Sequence, residues 1–281
     1  MNAWSEPDAP NPVAQIIATR TAQVGGAAGL LLAGVGAMCP ASVTGSAAIV
    51  GGIAVTAGLS AYFVRTFNPR TTLPGYPLLV RLPPGENAVA LTFDDGPHPD
   101  TTPRLLDTLA AFNARATFFV VGERAARFPA IVRQIARAGH TIGVHGLRHR
   151  AMVLQSGAQI ERDLTEAVAR IADAAGEPLR SPVWLRPPYG FKTATLTRAA
   201  HRLGFAVAAW SLDPRDYDPV DGETLAARIT ARLVPGDIVL LHERPDAPAA
   251  VDALPAVLAM CQRRGLALVG IAGNAAHEPA R

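Results

Sequence analysis

The sequence has little lysine, little cysteine and few charged residues for its 281 positions. Charged side chains make up 17% of the chain, and Lys192 is the single lysine among 26 basic residues. The net charge is only +3 and no Lys/Arg-rich run occurs, so the composition gives no support for a nucleic-acid partner. Cys39 and Cys261 lie far apart, which excludes a cysteine metal motif and argues against a disulfide framework.

Three motifs of other enzyme classes are missing. No G-x-G-x-x-G follows a predicted strand, so a dinucleotide-binding fold has no support. G-x-S-x-G is absent, which disfavours a serine nucleophile of the α/β-hydrolase type. H-E-x-x-H, in which two histidines on one helix hold zinc, is absent as well.

Charge is also missing from one long segment, because no charged side chain lies between Thr21 and Val64. Two apolar runs rich in Gly and Ala fill it, Val24–Met38 and the longer Thr44–Val64. A membrane-spanning helix needs about 20 apolar residues, a length that only the second run reaches. The pattern predicts a transmembrane helical hairpin over 21–65, with one span or a soluble helical hairpin as the alternatives.

Arginine placement predicts the topology of this hairpin. Arg20 precedes it and Arg65 follows it, whereas the loop between the two runs has no basic residue. By the positive-inside rule, both ends and the domain that follows are expected on the cytoplasmic side of a bacterial inner membrane, with membrane lipid as a partner. The predicted parts are a disordered tail (1–20), the hairpin (21–65), a linker (66–87) and a catalytic domain (88–281).

In the catalytic domain, short apolar runs alternate with helical segments. Strands are predicted at Val89–Asp94, Ala116–Gly122, Thr141–Gly146, Val183–Tyr189, Ala206–Asp213, Asp237–His242 and Leu266–Ile271. Helices are predicted at Thr101–Ala114, Ala125–Ala138, Ser156–Ala175, Thr193–Leu203, Gly222–Val234 and Pro248–Arg264. The alternation indicates an α/β fold with a parallel sheet buried on both faces. A closed barrel and an open doubly wound sheet both satisfy it.

Polar residues stand where the predicted strands end. In chain order they are Asp94 and Asp95, His145 and His149, Arg186–Tyr189, Trp210–Tyr217, and His242. Any one of them alone could be a turn, a surface pair or a core-edge histidine, and Asp213 and Asp216 could cap the next helix. The carboxyl ends of parallel strands share one end of the sheet, so the coincidence predicts a functional site there.

These residue types fit metal-assisted hydrolysis. One carboxylate and two imidazoles can hold one divalent ion with positions left open for water and substrate, and Zn²⁺, Co²⁺, Ni²⁺ and Fe²⁺ are all compatible. Such an ion lowers the pKa of bound water. A second carboxylate can then act as the base, and a histidine as the acid for the leaving group.

The segments T-F-D-D-G-P, R-P-P-Y-G and L-L-H, in this order, resemble those of the polysaccharide deacetylases of carbohydrate esterase family 4, the NodB-homology domain. The resemblance covers about Ala88–Ile271. It implies a distorted seven-stranded (β/α) barrel that removes the N-acetyl group of an amino sugar. With the predicted hairpin, a lipid-linked saccharide or another envelope glycan becomes the expected substrate.

The resemblance also implies a role for each motif residue. Asp94 is expected to be the base and His242 the acid. The expected ligands of one divalent ion, Zn²⁺ before Co²⁺ or Ni²⁺, are Asp95, His145 and His149. The expected supporting and groove residues are Arg186, Pro188, Tyr189, Asp213, Asp216, Tyr217 and Leu240.

Four of the supporting residues have a stated function by the same resemblance. Arg186 would orient the base, and Asp216 would hold His242 protonated. The Tyr189 backbone N–H would help to stabilise the oxyanion, and Leu240 would line the acetyl pocket.

Three positions depart from the family pattern. Gly146 stands where Ser or Thr normally follows the first histidine and ties the loop, Tyr217 stands in place of Trp, and Glu243 in place of Asp. None of these changes removes a ligand or a proton carrier, so we expect an active enzyme. The alternatives are a non-sugar amide hydrolase on the same fold and a catalytically silent, membrane-anchored glycan-binding protein.

Overall fold

The computed structural model describes residues 76–244 and 248–271, together with Gly58 and Asn68. All of these except Gly58 belong to one compact unit, Phe67–Arg281. The predicted tail, nearly all of the predicted hairpin and about half of the predicted linker lie outside the described residues. Among the residues that are described, no helix combines the length and the apolar character that crossing a membrane requires.

The described part alternates strands and helices. The strands are β1 (Leu78–Leu79), β2 (Ala88–Asp94), β3 (Thr117–Val120), β4 (Thr141–Val144), β5 (Val183–Leu185), β6 (Phe205–Ala208), β7 (Ile238–His242) and β8 (Ala267–Val269). The helices are α1 (Thr101–Ala111), α2 (Gly122–Arg127), α3 (Pro129–Arg137), α4 (Gly157–Ala175), α5 (Ala194–Arg202), α6 (Gly222–Thr230) and α7 (Ala249–Arg263). Short 3₁₀ turns occur at Met152–Leu154 and Pro188–Gly190.

The sheet is parallel and curled. Its order is β1-β6-β5-β4-β3-β2-β7, and β8 also pairs with β2. Beyond β6 the chain crosses to the other end of this order, where Leu212 forms a parallel bridge with Val239. The Leu240 N–H donates to the Leu212 carbonyl at 3.0 Å. The two ends of the strand order therefore meet, as in a distorted (β/α) barrel, and the open doubly wound alternative does not apply.

Alternation along the strands divides the core into two clusters, because successive side chains point to opposite faces. Ala90 and Leu240 belong to a smaller cluster of strand residues that fills the inside of the curl. Leu91 and Leu241, their sequence neighbours, belong to the larger cluster between the sheet and the helices. By the same alternation, the side chains of Asp94 and His242, the last residues of β2 and β7, also point to the inside of the curl.

Several predicted strands end about two residues earlier than expected, and two of them, β5 and β6, end four or five residues earlier. β5 stops at Leu185, not Tyr189, because Pro187 and Pro188 have no N–H to donate to a neighbouring strand. β6 stops at Ala208, not Asp213, because the chain changes partners there. The Ala209 N–H donates to β1, and the Ser211 N–H to β7.

Two further predictions need correction. The helix predicted over Ala125–Ala138 is two helices, α2 and α3, with Phe128 between them at φ −127°. Pro129 explains the break, since a proline has no N–H and disfavours helical geometry at the residue before it. The predicted linker also contains an unpredicted strand, β1, in which Leu78 pairs with Val207.

Candidate active site

Asp94 and Asp95 face the same site although they are neighbours. Asp94 ends β2 and is 3% exposed. Asp95 has φ 72°, a left-handed conformation that Asp adopts more readily than most residues. Both carboxylates therefore approach the same imidazole. Nε2 of His145 lies 3.9 Å from Asp94 Oδ2 and 3.4 Å from Asp95 Oδ1.

Arg186 fixes one oxygen of Asp94. Its Nη1 donates to Asp94 Oδ1 and to Thr92 Oγ1, both at 2.7 Å, and its Nη2 donates to the Ala209 carbonyl at 2.7 Å. The guanidinium is fully buried and lies 4.1 Å from the centre of the Phe119 ring. Removing one partner of a buried ion pair costs about 3–5 kcal/mol, so this pair is a strong constraint on the Asp94 carboxylate.

His145 has a defined tautomer. Its Nδ1 lies 2.7 Å from the backbone carbonyl of Arg186. A carbonyl can only accept, so Nδ1 carries a hydrogen and Nε2 is the nitrogen left to face the cluster. That nitrogen is the atom facing Asp95. A hydrogen-bonded second nitrogen is the usual support of a metal-binding histidine.

The His149 loop is held by the start of α2. The N–H groups of Gly122 and Glu123 donate to the carbonyls of Gly146 and Leu147 at 3.0 and 2.9 Å. Gly146 has φ 81°, a conformation that favours glycine. Two bonds from a helix N-terminus thus hold this loop at the position where the family pattern has a hydroxyl after its first histidine.

His149 completes a cluster with Asp95 and His145. Its Nε2 lies 3.0 Å from Asp95 Oδ1, and its ring centre lies 4.6 Å from that of Tyr189. Tyr189 belongs to the 3₁₀ turn that starts with the buried Pro188. The backbone of Tyr189 is left-handed, with φ 62°. The turn thus sets an aromatic ring against the edge of the cluster.

The donor set of this cluster fits a metal ion. Oδ1 of Asp95 is buried and has no hydrogen-bond partner within the described ranges, although the two imidazoles face it. One ligand atom from each of Asp95, His145 and His149 lies within 4.8 Å of the others. Two ligands at about 2.1 Å from a tetrahedral zinc ion are about 3.4 Å apart. The separations of 3.0 and 3.4 Å from Asp95 Oδ1 match that value.

The charge states also suit a metal. Burial lowers the pKa of His149 to about 4, so its imidazole is neutral near pH 7. Burial opposes ionisation of Asp95, but the surrounding histidines outweigh it and hold its pKa well below the usual range. One carboxylate and neutral imidazoles are the forms that bind a divalent cation.

His242 is paired with Asp216. Its Nδ1 lies 2.8 Å from Asp216 Oδ1, and its backbone N–H donates to Asp216 Oδ2 at 2.7 Å. Burial alone would lower the pKa of His242, but Asp216, Asp95 and Asp94 together raise it to about 9. The ring is therefore a cation at neutral pH and can give up a proton.

The remaining groove residues lie near His242. The Tyr217 ring meets the His242 ring edge-on at 5.7 Å, and its hydroxyl donates to Asp213 Oδ2 at 3.1 Å. Leu240 is buried inside the curl, two residues before His242. Helix α6 is capped by Asp221, whose side chain accepts from Thr224 N at 2.7 Å, so the capping alternative for Asp213 and Asp216 is wrong.

Comparison with known proteins decides the family. A family model described as polysaccharide deacetylase matches residues 81–208. A peptidoglycan-N-acetylglucosamine deacetylase of Bacillus cereus is 33% identical over 183 residues, which are 64% of this chain and 66% of that protein. A chitooligosaccharide deacetylase of Azorhizobium caulinodans is 32% identical over 200 residues, which are 67% of this chain and 94% of that protein. The chain belongs to the polysaccharide deacetylase family.

A solved structure of this family extends the likeness to the fold. It is a peptidoglycan N-acetylglucosamine deacetylase with 31% sequence identity and a TM-score of 0.66, covering 70% of this chain and 91% of the other. Deacetylases are hydrolases of carbon–nitrogen bonds other than peptide bonds, and membership places this chain in that enzyme class. The chain spans just under two thirds of the B. cereus relative named first.

Sequence reasoning missed three supporting residues of this deacetylase fold. Arg124 donates from its side chain to the Asp95 carbonyl. The Thr92 hydroxyl accepts from Arg186 and donates to the Val239 carbonyl at 2.6 Å. Thr102 donates to Glu243, which follows His242. Arg124 lies just past the end of β3, and a position near a strand end is the one feature of the sequence that could have indicated its role.

Zinc should stabilise the protein through this cluster. At free Zn²⁺ about 100 times the dissociation constant, binding adds about 2.7 kcal/mol to the free energy of unfolding, and the melting temperature should rise. His149→Ala should remove most of that rise. His201→Ala, at an exposed histidine of α5, serves as the matched control and should keep it. Equal rises in all three proteins, measured by differential scanning fluorimetry, would contradict the site.

Proposed function

We propose that the protein is a metal-dependent N-deacetylase that hydrolyses the N-acetyl group of an amino sugar in a membrane- or envelope-associated glycan. The observation that carries this proposal is the pairing of two proton carriers beside the Asp-His-His cluster. Asp94 and His242 stand opposite each other in the β2–β7 register. The names of the relatives, which act on peptidoglycan N-acetylglucosamine or chitooligosaccharide, support an N-acetylated saccharide as substrate.

Asp94 is suited to the role of base. Arg186 holds its Oδ1, so Oδ2 is the oxygen turned towards the cluster. Asp95, His145 and His149 would hold the ion, for which Zn²⁺ is our first expectation and Co²⁺ or Ni²⁺ the next. When bound, such an ion supplies an acidified water and polarises a carbonyl oxygen. Asp94 Oδ2 would take the proton of that water.

His242 is suited to the role of acid. Asp216 binds its Nδ1, which leaves Nε2 as the nitrogen that donates to the departing amine. The transferred proton leaves a neutral imidazole that still carries hydrogen on Nδ1 and still bonds Asp216. The amine is a poor leaving group until its nitrogen is protonated, and a histidine that is protonated at neutral pH can supply that proton.

The remaining residues would shape the substrate groove. The Tyr189 backbone N–H would stabilise the developing oxyanion, a contribution typical of a fixed donor in a water-poor site. Pro188 and the Tyr189 ring would form one wall. Tyr217, held by Asp213, would form another wall near His242, and Leu240 inside the curl would receive the acetyl methyl group.

Mass spectrometry tests the function directly. The protein should remove about 42 Da, one acetyl group, from members of a panel of chitooligosaccharides, peptidoglycan fragments and lipid-linked N-acetylated sugars, as amide hydrolysis requires. Asp94→Asn should lower turnover on the order of 10²–10⁴-fold, because it removes the base. Zinc content should stay at the wild-type level in this variant, since Asp94 is outside the ligand set.

Two outcomes would favour the alternatives. Cleavage of simple acylamides without any N-acetylated sugar being processed would indicate a non-sugar amide hydrolase. Saccharide binding with no loss of acetyl group by metal-loaded protein would indicate a silent glycan-binding protein. Retained turnover in Asp94→Asn would remove Asp94 from the role of base.

The alkaline limb of the pH–rate profile should depend on Asp216. The folded pKa of His242 is raised to about 9, so the acid is protonated below that pH and is lost as the pH rises through it. Asp216→Asn removes the largest raising charge, so the limb of kcat/KM should move to lower pH by on the order of 1–2 units. Asp218→Asn, at a partly exposed acid of the same loop, is the control. An unmoved limb in Asp216→Asn would exclude His242 as the titrating acid.

We propose further that residues 21–65 form a membrane hairpin behind a tail (1–20) and that a linker (66–87) joins it to the catalytic domain (88–281) on the cytoplasmic side. The uncharged segment between Thr21 and Val64 and the arginines that flank it support this proposal. A lipid-linked saccharide exposed on the cytoplasmic face of the membrane would then be within reach of the site.

Reporter fusions test this topology. A reporter that is active only in the periplasm should be inactive when fused after Arg70 and active when fused after Ala41, in the predicted loop between the spans. Reporter activity after Arg70 would indicate that the orientation is reversed or that the segment has a single span. Release of the full-length protein from membranes by alkaline carbonate would exclude a membrane-spanning segment altogether.

A further inference from the structure

Glu243 is a buried acid that the proposed reaction does not use. It follows His242, is 0% exposed, and its backbone N–H donates to the Asp94 carbonyl at 2.9 Å. Adjacent residues of an extended chain point to opposite faces, so its carboxyl group lies on the helix side of β7 while His242 faces the site. There Oε2 accepts a hydrogen bond from the Thr102 hydroxyl in the first turn of α1.

The chain between Asp95 and α1 wraps around this carboxyl group. The Thr102 hydroxyl, which donates to Glu243, accepts from the His98 N–H at 2.8 Å. The Thr102 N–H in turn donates to the His98 carbonyl at 3.1 Å. The Glu243 side chain, just after β7, therefore contacts both the turn after β2 and the start of the next helix.

Gly96 makes room for the same carboxyl group. A Cβ built on Gly96 would collide with Oε1, Cδ and Oε2 of Glu243. Gly96 is not one of the glycines with positive φ, so space and not backbone conformation excludes a side chain here. The Asp-Asp-Gly sequence thus includes a glycine whose missing side chain is replaced by Glu243.

Three consecutive carbonyls of the turn are tied to two other parts of the chain, the residue after β7 and the start of α2. The Asp94 carbonyl accepts from the Glu243 N–H, and the Gly96 carbonyl from the Val121 N–H, each at 2.9 Å. The Asp95 carbonyl accepts from the Arg124 side chain. These bonds hold the left-handed conformation of Asp95, on which the direction of its carboxylate depends.

We infer that Glu243 is a positioning residue for the metal ligand Asp95, acting through the Asp95–Gly96 turn, with Gly96 and Thr102 as its matching partners. The inference rests on the metal site of the proposed function and concerns the affinity of that site. Outer contacts of a metal ligand are typically worth about 10–100-fold in metal affinity. Glu243 should therefore change metal binding without touching metal or substrate.

Metal affinity of the full-length protein is the measurement, by competition for Zn²⁺ with a chromogenic chelator and without substrate. Glu243→Ala should weaken binding about 10–100-fold. Glu243→Gln should stay within about threefold of wild type, because the amide oxygen can accept from Thr102 and the side chain fills the same space. Loss in Glu243→Gln equal to that in Glu243→Ala would assign the effect to charge and overturn the inference.

Thr102→Val provides the second variant should Glu243→Ala fail to fold. It removes the bridging hydroxyl with little change in volume and should weaken Zn²⁺ binding by more than about threefold, and wild-type affinity would overturn the inference. Thr108→Val, whose hydroxyl bonds only its own helix at Arg104 O, is the matched control on α1 and should bind as wild type.

Coupling gives the sharpest result. Residues that act through one turn are non-additive, so Thr102→Val combined with Glu243→Ala should bind Zn²⁺ about as tightly as Glu243→Ala alone. Additive losses would overturn the inference. A variant series that behaves as expected in a protein that releases no acetyl group would instead remove the proposed function and leave the positioning role in place.

Discussion

Side chains of a β-strand alternate between its two faces, and the site of this protein requires two adjacent carboxylates on one face. The left-handed conformation of Asp95 resolves that conflict. Asp94 keeps the inward direction of β2, and the turn brings Asp95 back towards the same imidazole. The rest of the site is arranged around this turn, since Glu243, Val121 and Arg124 donate to its backbone carbonyls. The Glu243 side chain, which Thr102 of α1 binds, fills the space over Gly96.

Arg186 joins the two chemical halves of the site. Its side chain holds the carboxylate proposed as the base, whereas its backbone carbonyl fixes the tautomer of His145 in the metal cluster. One residue, at the end of one strand, thus sets the geometry of the proposed proton acceptor and of a candidate metal ligand.

Much of the site could be predicted because parallel strands bring their carboxyl ends together, so residues such as Asp94, His145 and His242 are marked by position alone. The contacts of Arg124 and Glu243 could not be, because they depend on backbone carbonyls and on a space over Gly96 that only the folded chain creates. Pro129 marks the break between α2 and α3 in the sequence. The break was not predicted because the segments on both sides of Pro129 have helical periodicity. The two-residue strand β1 is too short to leave a pattern.

The curled sheet closes at a seam between β7 and the chain after β6, where Leu212 forms a parallel bridge with Val239. Asp216 lies on the β6 side of this seam and His242 on the β7 side, so the hydrogen bond between them crosses the seam. This hydrogen bond is strongest while His242 is a cation, because both partners are then charged. If the imidazole gave up its Nε2 proton, one of the two charges would disappear and the Nδ1–Asp216 hydrogen bond would remain. The residue proposed as the acid thus also joins the two sides of the seam at which the sheet closes.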